Sequence, residues 1–435
     1  MSTQATCKAK AKKKGIKDSD SLTLCQMKAL ELLEGSDNIF LTGEAGTGKS
    51  YLLNTYLKGK GAEQYPIVAS TGAAAILVGG RTFHSFFGLG ILQGGRESTI
   101  QRALRNKKLI SRLTAAECVI IDEVSMLSGT VLETAEQIAQ EARYSDEPWG
   151  GLRIIAVGDF AQLPPVDEGV SGKEWAFLHD IWHRSQFTPV LLKTVVRTKD
   201  REYLNLLQLI RKGEVYGEVE EYLNAKILED TDSFEGTRLY SHRVKVDTFN
   251  LKKLRELKGK LWDFETTYIG SKKNIELLKK KSPIPENLQL KKGALVMIRI
   301  NDTSHSEQQM VYVNGSLGYI HTITDEVLEI DLFTGRRIKM HKVSFNMLNG
   351  DGATTAQAYN FPVNLAWAST IHKAQGATLD RVLVQLQNLW EPGQAYVALS
   401  RTRSGDDLFI ESWSPRSIIV EPLVEEFYWN LDERI

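Results

Sequence analysis

Residues 43–50 read Gly-Glu-Ala-Gly-Thr-Gly-Lys-Ser and match the phosphate-binding pattern G-x-x-x-x-G-K-[ST]. The loop follows an apolar run at residues 39–41 and precedes a helical pattern at residues 51–57. In this context, backbone N–H groups and a helix N-terminus form a pocket for phosphate charge. We therefore predict that a nucleotide binds here, with Lys49 reaching its β- and γ-phosphates and the Ser50 hydroxyl binding Mg²⁺. The predicted nucleotide contacts in the loop are Gly43, Glu44, Ala45, Gly46, Thr47, Gly48, Lys49 and Ser50.

An acidic pair, Asp122-Glu123, follows the apolar run at residues 119–121. In a P-loop enzyme, one carboxylate at a strand end holds Mg²⁺ and another polarises the attacking water. We assign Asp122 to the metal and Glu123 to the general base. An acidic pair at a strand end is structurally ordinary in isolation. Its position two strands after a phosphate-binding loop favours the functional interpretation.

Three more residues are candidates for contact with the γ-phosphate. Gln162 lies before Pro164-Pro165 and can hydrogen-bond the phosphate or a water beside it; the alternative is a plain turn. Arg197 and Arg401 each follow a strand-like run. A guanidinium placed across a cleft can stabilise charge on the transferring phosphoryl group, although either arginine alone could be a surface residue. Because Arg401 belongs to the second half of the chain, its contact would tie hydrolysis to closure of an interdomain cleft.

Composition restricts the class of protein without identifying it. The chain has 435 residues, enough for two or three domains, with 42% apolar and 25% charged residues. Lys+Arg and Asp+Glu number 54 each, so net charge gives no sign of a polyanionic partner, although a local basic channel can still form. There is no run of about 20 apolar residues and no signal-peptide pattern. The three cysteines have neither disulfide nor zinc spacing, and these features together predict a cytoplasmic protein without a membrane span.

The chain divides into a basic tail and two α/β regions. Residues 1–20 are rich in lysine and predict a disordered tail, either simply solvated or in contact with nucleic-acid phosphates. From residue 21 to about 200, strands alternate with helices, and several strands are continuous apolar runs, as in a parallel sheet covered on both faces. The predicted strands are residues 39–42, 67–70, 118–122, 154–158 and 189–192. An insertion at about 88–110 interrupts this region.

A second α/β region covers residues 201–435. It opens with an amphipathic helical pattern at residues 203–210, and its predicted strands are residues 238–241, 363–369, 382–386 and 408–411. Between about 265 and 358 the pattern changes to short strands separated by turns, which predicts a small β-barrel inserted in this region. The predicted fold class is therefore α/β, with two parallel-sheet domains, a barrel insertion in the second and a short insertion in the first.

The ordered motifs resemble those of the Pif family of superfamily-one 5′-to-3′ DNA helicases, which are related to RecD-like motors. The resemblance covers about residues 22–415. Segment 127–151 is its most family-specific part, and Trp149 stands where the family usually has phenylalanine. The other segments that carry the resemblance are residues 24–26, 70–74, 82–86, 368–376 and 397–401.

The resemblance implies two RecA-like motor domains and a role for several further residues. Gln26 would read adenine, and Gln375 and Gly376 would couple nucleotide to DNA. The implied DNA contacts are Ser70, Thr71, Phe83, His84, Phe86, Ser369, Thr370, His372 and Lys373. Core packing is the alternative for the two phenylalanines, and a structural hydrogen bond is the alternative for the two histidines. The insertion at 88–110 would be a strand-separating wedge, or else a solvated basic loop.

The function implied by the resemblance is ATP- and Mg²⁺-dependent translocation on single-stranded DNA and unwinding of tailed duplexes. It extends to G-quadruplexes and RNA–DNA hybrids, and to roles in DNA repair, recombination and telomere maintenance. A monomer associated with the nucleoid of a bacterial or phage-infected cell is expected. Two alternatives remain open: a nucleotide-switched clamp that binds DNA without travelling, and a RecD-like subunit that works only inside a recombination complex.

Overall fold

The computed structural model describes residues 22–70, 74–75, 81–89, 95–165, 173–300, 302, 311–312, 314–348 and 353–432. The predicted tail at residues 1–20 and the predicted DNA contact Thr71 lie outside these ranges, as does part of the insertion at 88–110. Among the described residues, no helix is both long enough and apolar enough to cross a membrane.

The first domain is built on a six-stranded parallel sheet with the order β3-β2-β4-β5-β1-β6. All five strands predicted for this domain are confirmed to within one residue at each end, and β3 is an addition. The strands are β1 (Ile39–Gly43), β2 (Ile67–Ala69), β3 (Arg81–Thr82), β4 (Cys118–Asp122), β5 (Arg153–Val157) and β6 (Thr188–Leu192).

Helices cover both faces of this sheet, which explains why its strands are apolar throughout. Successive residues of a strand point to opposite faces. Phe40 accordingly belongs to one buried cluster and its neighbours Ile39 and Leu41 to another. The helices are α1 (Leu24–Leu33), α2 (Lys49–Leu57), α3 (Phe83–Phe86), α4 (Gly95–Leu104), α5 (Lys107–Ala115), α6 (Gly129–Arg143) and α7 (Asp180–Arg184).

The second domain combines a parallel sheet with antiparallel strands. Its strands are β7 (Thr237–Tyr240), β8 (Trp262–Glu265), β9 (Thr267–Gly270), β10 (Asn287–Leu290), β11 (Leu295–Ile298), β12 (Leu317–Ile323), β13 (Val327–Leu332), β14 (Arg337–His341), β15 (Val343–Leu348), β16 (Thr354–Asn360), β17 (Val363–Leu365), β18 (Ala368–Thr370), β19 (Val382–Gln385) and β20 (Leu408–Ser412). Its helices are α8 (Arg201–Arg211), α9 (Glu218–Ala225), α10 (Arg243–Glu256), α11 (Lys272–Lys281), α12 (Ile371–Ala374), α13 (Gln394–Leu399) and α14 (Pro422–Asp432).

The parallel sheet of the second domain has the order β18-β7-β19-β20. The antiparallel strands between β7 and β18 form sheets of five, three and two strands, and they extend from Trp262 to Leu365 rather than over 265–358. The short strands predicted for this region are present in the structure. Closure of these strands into a barrel stays a prediction.

The segment predicted as a single strand at residues 363–369 is divided between two sheets. β17 pairs antiparallel with β11, whereas β18 pairs parallel with β7. Ala366 and Trp367 lie between the two strands, and Ala366 is fully buried. The mostly apolar pattern of this segment therefore gave no sign of the point where the chain passes from one sheet to the other.

The C-terminal helix α14 crosses back to the first domain. Its Val424 and Leu431 belong to the buried cluster of that domain. Phe427 packs against Phe40 and Phe160, with ring centroids 6.0 and 5.5 Å apart. The sequence division at residue 200 thus assigned this helix to the wrong domain, because α14 follows the last strand of the second domain but is buried against the first.

Candidate active site and nucleic-acid interface

The phosphate-binding loop leaves the carboxyl end of β1 and enters α2. Gly46 and Gly48 have φ angles of 85° and 81°, in the left-handed region that glycine adopts without strain. Lys49 Nζ donates hydrogen bonds to the carbonyls of Gly43 at 2.7 Å and Glu44 at 3.1 Å. Burial lowers the pKa of Lys49, so a bound phosphate would stabilise its charged form.

Side chains from two other elements hold the backbone of this loop. Gln26 Nε2 donates to the Thr47 carbonyl at 3.1 Å, and Gln26 Oε1 accepts from the backbone N–H of Thr23 at 3.0 Å. From the second domain, the hydroxyl of Tyr396 accepts a hydrogen bond from the Ala45 N–H at 2.9 Å. Gln26 therefore lies beside the loop, as expected for a nucleotide contact, while its reading of adenine stays a prediction.

The order of strands brings three motifs to one edge of the first sheet. Strand β5 lies between β1, which carries the phosphate loop, and β4, which ends at Asp122. In open α/β sheets, ligands bind at the carboxyl ends of the strands. The segment after β5, which contains Gln162, therefore lies between the phosphate loop and the acidic pair.

Glu123 has a backbone conformation that is unusual for a residue other than glycine. Its φ and ψ are 53° and 49°, and its N–H donates to Asp122 Oδ1 at 3.0 Å. Non-glycine residues in this region cluster at functional sites, where the surrounding structure maintains the strain. Burial, reinforced by the charge of Asp122, raises the pKa of Glu123 to about 7. A carboxylate with this pKa is suited to act as a general base near neutral pH.

The second domain reaches this base directly. Gln375 Nε2 donates to Glu123 Oε2 at 3.3 Å. Gly376, the next residue, has a φ of 74° and follows the short helix α12. The structure thus brings Gln375 to the sheet edge of the first domain that carries Glu123, although Gln375 and Glu123 are 252 positions apart in sequence.

Arg197 connects the phosphate loop to the second domain. The backbone N–H groups of Val196 and Arg197 both donate to the Gly46 carbonyl, at 2.9 and 3.1 Å. The Arg197 guanidinium donates to the Ser400 carbonyl at 2.9 Å. Arg197 therefore contacts the loop by its backbone and the residue before Arg401 by its side chain.

Arg401 is almost fully buried, with 2% of its surface exposed. Its guanidinium donates to the carbonyls of Val397 at 2.6 Å, Ala374 at 3.2 Å and Ala377 at 3.3 Å. Burial and the charge of Arg197 lower its pKa to about 10, and the charge of Glu123 opposes this shift. In this conformation Arg401 holds the segment that carries Gln375. All of its hydrogen-bond acceptors belong to its own domain.

Gln162 lies against the start of α13, which belongs to the second domain. Its side chain is buried, with 6% exposure. Gly393, at the start of α13, has a φ of 76°, and a Cβ at this position would overlap the carbonyl oxygen of Gln162. Backbone therefore meets backbone across the cleft at the residue predicted to respond to the γ-phosphate.

A buried network beside the cleft was not predicted from the sequence. Arg211, the last residue of α8, pairs with Asp159 Oδ1 at 2.9 Å. The Tyr428 hydroxyl of α14 donates to the same oxygen at 3.1 Å and accepts from the Phe160 N–H at 2.9 Å. The guanidinium carbon of Arg211 lies 4.2 Å from the centre of the Tyr428 ring. Asp159 could have been found by its place three residues before Gln162, but nothing in the sequence singles out Arg211 or Tyr428.

Replacing Arg211 with methionine is expected to lower the midpoint of thermal unfolding by several degrees. The change leaves a fully buried Asp159 carboxylate without its cation, which typically costs about 3–5 kcal/mol. Adding Asp159→Asn should recover much of the loss, because no buried charge then remains. The control is Arg337→Met, which breaks the exposed pair with Asp331 and should cost at most about 1 kcal/mol. Equal losses for both arginine variants, measured by calorimetry, would show that the buried pair is unimportant.

The structure corrects the prediction that Phe83 and Phe86 contact DNA. Their exposed fractions are 0% and 1%, and both pack in the core of the first domain with Phe87. The core-packing alternative therefore holds for both rings, because both belong to the buried cluster of the first domain. His84 lies half-buried on the same helix, with its ring 6.3 Å from that of Phe83.

The polar residues predicted to contact DNA lie at strand ends. Ser70 follows β2, and its N–H donates to the Asp122 carbonyl at 3.3 Å. Ser369 and Thr370 end β18, where the Thr370 hydroxyl caps α12 by accepting from the Lys373 N–H at 3.2 Å. These positions suit phosphate contacts that do not read sequence.

His372 and Lys373 lie on α12, between the end of β18 and Gln375. His372 Nε2 lies 3.2 Å from Glu391 Oε2. Glu391 Oε1 in turn pairs with Lys173 of the first domain at 3.3 Å. His372 therefore has a carboxylate partner that also connects the two domains.

Most of the insertion at 88–110 is helical rather than a solvated loop. Arg96 of α4 pairs with Glu133 and donates to Gln137 at 3.0 Å, and Arg102 donates to the Leu89 carbonyl at 2.8 Å. Helices α4 and α5 pack on α6. Arg96 connects α4 to α6, whereas Arg102 connects α4 to the segment after α3. A wedge role for this pair of helices stays a prediction.

The family-specific segment 127–151 has a structural role. Trp149 is fully buried, and its indole N–H donates to Ser185 Oγ at 2.8 Å. Gly150 has a φ of 65°, and a Cβ there would lie 2.7 Å from the Ala139 carbonyl oxygen. The segment closes α6 tightly onto the core, and tryptophan fills the position that phenylalanine usually occupies.

Ser50 and Asp122 offer oxygen donors that suit Mg²⁺. Ser50 is exposed in the first turn of α2, and Asp122 ends β4 at the same sheet edge. Mg²⁺ in nucleotide sites takes one or two protein ligands and the rest from phosphates and water. The described ranges contain no group of three or more His, Cys, Asp or Glu that could hold a metal ion.

The fold and the site together define a class of protein. Two domains with parallel sheets contribute to one cleft, with the phosphate loop and the acidic pair on one side and Gln375 and Arg401 on the other. This is the arrangement of a two-domain, RecA-like P-loop ATPase.

Comparison with known proteins identifies the family. Residues 24–220 match the family model of the PIF1-like helicase. The chain is 47% identical over 403 residues to the ATP-dependent DNA helicase Pif1 of Bdellovibrio bacteriovorus, covering 93% of this chain and 90% of that one. The chain belongs to the Pif1-like helicase family.

Solved structures of Pif1 helicases share the whole fold. A Bacteroides Pif1 in complex with ADP-AlF4 has a TM-score of 0.81 at 27% identity, covering 95% of this chain and 97% of that one. A Bacteroides Pif1 bound to single-stranded DNA has a TM-score of 0.65 at 29% identity, with the same coverage. The RecA-like fold class is therefore confirmed.

Proposed function

We propose that this protein is an ATP-dependent DNA helicase that moves 5′-to-3′ along single-stranded DNA and unwinds the duplex ahead of it. The observation that carries the proposal is the contact between Gln375 and Glu123, which joins the segment predicted to bind DNA to the predicted catalytic base. Its similarity to the Bdellovibrio enzyme, named as an ATP-dependent DNA helicase, supports the same conclusion.

In the proposed hydrolysis, Glu123 accepts a proton from the attacking water. Lys49 leaves the loop carbonyls and binds the β- and γ-phosphates, and Gln162 positions the water or the γ-phosphate. Ser50 and Asp122 would hold Mg²⁺, which would supply neutralising charge on these phosphates. The products are ADP and inorganic phosphate.

Arg197 and Arg401 are proposed to stabilise the charge that develops on the γ-phosphoryl group. To reach a phosphate, Arg401 must give up at least one of its bonds to Val397, Ala374, Ala377 and Ser400. Because Ala374 and Ala377 flank Gln375, a movement of the guanidinium would also act on the segment that includes His372 and Lys373. A step along DNA would then follow from a change at the nucleotide.

The proposed partners are single-stranded DNA and tailed duplexes, bound by the polar residues at the strand ends. A Bacteroides relative has been crystallised with single-stranded DNA, which supports this part of the proposal. Action on G-quadruplexes and RNA–DNA hybrids, the monomeric state, the cytoplasmic and nucleoid location, and the roles in DNA maintenance stay predictions from the resemblance.

Unwinding of two partial duplexes, one with a 5′ tail and one with a 3′ tail, tests the proposal. We expect ATP-dependent unwinding of the 5′-tailed substrate by the purified chain alone, and ATP hydrolysis that rises when single strand is added. Preference for the 3′ tail would contradict the polarity. Hydrolysis that does not respond to single strand would favour a clamp, and unwinding only with added subunits would favour a RecD-like role.

A further inference from the structure

An exposed tryptophan lies at the carboxyl edge of the second parallel sheet. Trp390, in the connection from β19 to α13, is 48% exposed. Its indole stacks on the imidazole of His242, with ring centroids 4.8 Å apart and planes inclined by 17°. His242 directly precedes α10, shortly after β7 ends. Two neighbouring strands therefore send a pair of stacked rings to the edge where α/β sheets bind ligands.

A buried side chain holds the backbone around Trp390 in place. The N–H groups of Trp390 and Glu391 both donate to Gln394 Oε1, at 3.3 and 3.4 Å. Gln394 is fully buried at the start of α13. The exposed face of the indole is thus presented by a fixed backbone, with one face covered by His242. An aromatic ring supported in this way loses little freedom when a second flat group stacks on it.

Charged side chains of both signs lie near the stack. Glu391 lies next to Trp390 in sequence and is shared between His372 and Lys173. Arg243 directly follows His242 and pairs with Asp247 at 3.4 Å, with both side chains largely exposed. Burial, followed by the charges of Arg243 and Arg299, lowers the pKa of Lys373, and the charge of Asp247 opposes this shift. Arg243 and Lys373 are therefore close enough to interact, and they suit the phosphates of a polyanion that carries flat bases.

We propose that Trp390, supported by His242, is a stacking platform for one base of single-stranded DNA, with the neighbouring phosphate on Lys373 and Arg243. The inference rests on the proposed binding of single-stranded DNA. Stacking on an aromatic ring tolerates any base, as a translocating motor requires. It also supplies, in the second domain, the aromatic contact that the buried Phe83 and Phe86 do not provide in the first.

The test compares Trp390→Ala with Trp429→Ala, because Trp429 is a 70% exposed tryptophan on the distant helix α14. Affinity for a short single strand is measured by fluorescence anisotropy. Trp390→Ala is expected to weaken binding on the order of 10-fold, Trp390→Phe to restore most of it, and Trp429→Ala to leave it unchanged. A set of oligonucleotides, each with one abasic site, should show one sensitive position in the wild type that is no longer sensitive in Trp390→Ala.

The outcomes separate this inference from the proposed function. If the wild-type protein does not bind single strand, the proposed function fails. If it binds and Trp390→Ala binds equally well, or if no abasic position is special, only the platform is disproved. If Trp390→Ala unfolds, photocrosslinking of bromodeoxyuridine strands to the wild-type protein decides. Crosslinks to Trp390 would support the platform, and crosslinks only to other residues would overturn it.

Discussion

Replacing Glu123 with glutamine is expected to lower the rate of ATP hydrolysis by about 1,000-fold while ATP and single-stranded DNA still bind. Glutamine keeps the shape of the side chain but cannot accept the proton of the attacking water, and general base catalysis contributes about 10²–10⁴-fold. Burial raises the pKa of Glu123 to about 7, which suits a carboxylate that accepts a proton from water at neutral pH. Steady-state hydrolysis and nucleotide binding, measured separately, check the prediction.

The matched control is Glu117→Gln. Glu117 directly precedes β4, whereas Glu123 follows its other end, so both changes remove one carboxylate beside the same strand. The Glu117 side chain is exposed and accepts a hydrogen bond from the Tyr65 hydroxyl, and its replacement should leave hydrolysis unchanged. If Glu123→Gln hydrolyses ATP as fast as the control, another residue is the base and the assignment is wrong.

Replacing Arg401 with lysine should reduce hydrolysis by about 1,000-fold and also remove its stimulation by single-stranded DNA. An arginine that stabilises the transferring phosphoryl group contributes about 10³–10⁵-fold, and lysine does not reproduce its planar set of donors. Arg401 also holds the carbonyls of Ala374 and Ala377 on both sides of Gln375. Both of these bonds come from Nη1, while Nε and Nη2 bind Val397 and Ser400. The single nitrogen of lysine cannot make all four bonds, so the support of the segment that contacts Glu123 is weakened.

Arg403→Lys is the control for this variant, because Arg403 lies two residues further on and is exposed. Hydrolysis is measured with and without single strand, and thermal unfolding shows whether each variant is folded. A folded Arg401→Lys protein that keeps DNA-stimulated hydrolysis would show that the arginine is structural. Loss of stimulation with normal basal hydrolysis would show that it couples the domains without contacting the phosphate.

Glu123 is the point at which the nucleotide and DNA sides of the molecule meet. Its carboxylate accepts a hydrogen bond from Gln375, two residues beyond Lys373. Arg197 and Tyr396 provide two further connections from the phosphate loop to the second domain. We therefore expect a change in the nucleotide to act on the second domain through several short contacts, as in a motor whose two domains move against each other.

The C-terminal helix adds a connection that resists separation of the domains. Tyr428 bonds to Asp159 and lies against Arg211, so the two domains and α14 share one buried group of side chains. Asp159 lies two residues after the end of β5 and three residues before Gln162. The position of the turn between these two residues, and of the γ-phosphate contact predicted in it, therefore depends on a helix more than 250 residues away in sequence.

The sequence by itself determined the chemistry that is local in the chain. Residues 43–50, Asp122-Glu123 and the strands of the first sheet were recognisable because each depends on a short stretch of backbone and its immediate pattern. The family followed from the order of such motifs. These signals need no knowledge of which element packs on which, so they can be read before the fold is known.

Only the tertiary structure decided which residues meet. Strand β5 lies between β1 and β4, Gln375 reaches Glu123, and Arg211 and Tyr428 converge on Asp159. Burial depends on neighbours from distant parts of the chain, so the same aromatic pattern could not show that Phe83 is in the core while Trp390 is exposed. For the same reason, segment 127–151 identified the family by its residues, but its role in closing α6 onto the core became visible only in the packed molecule.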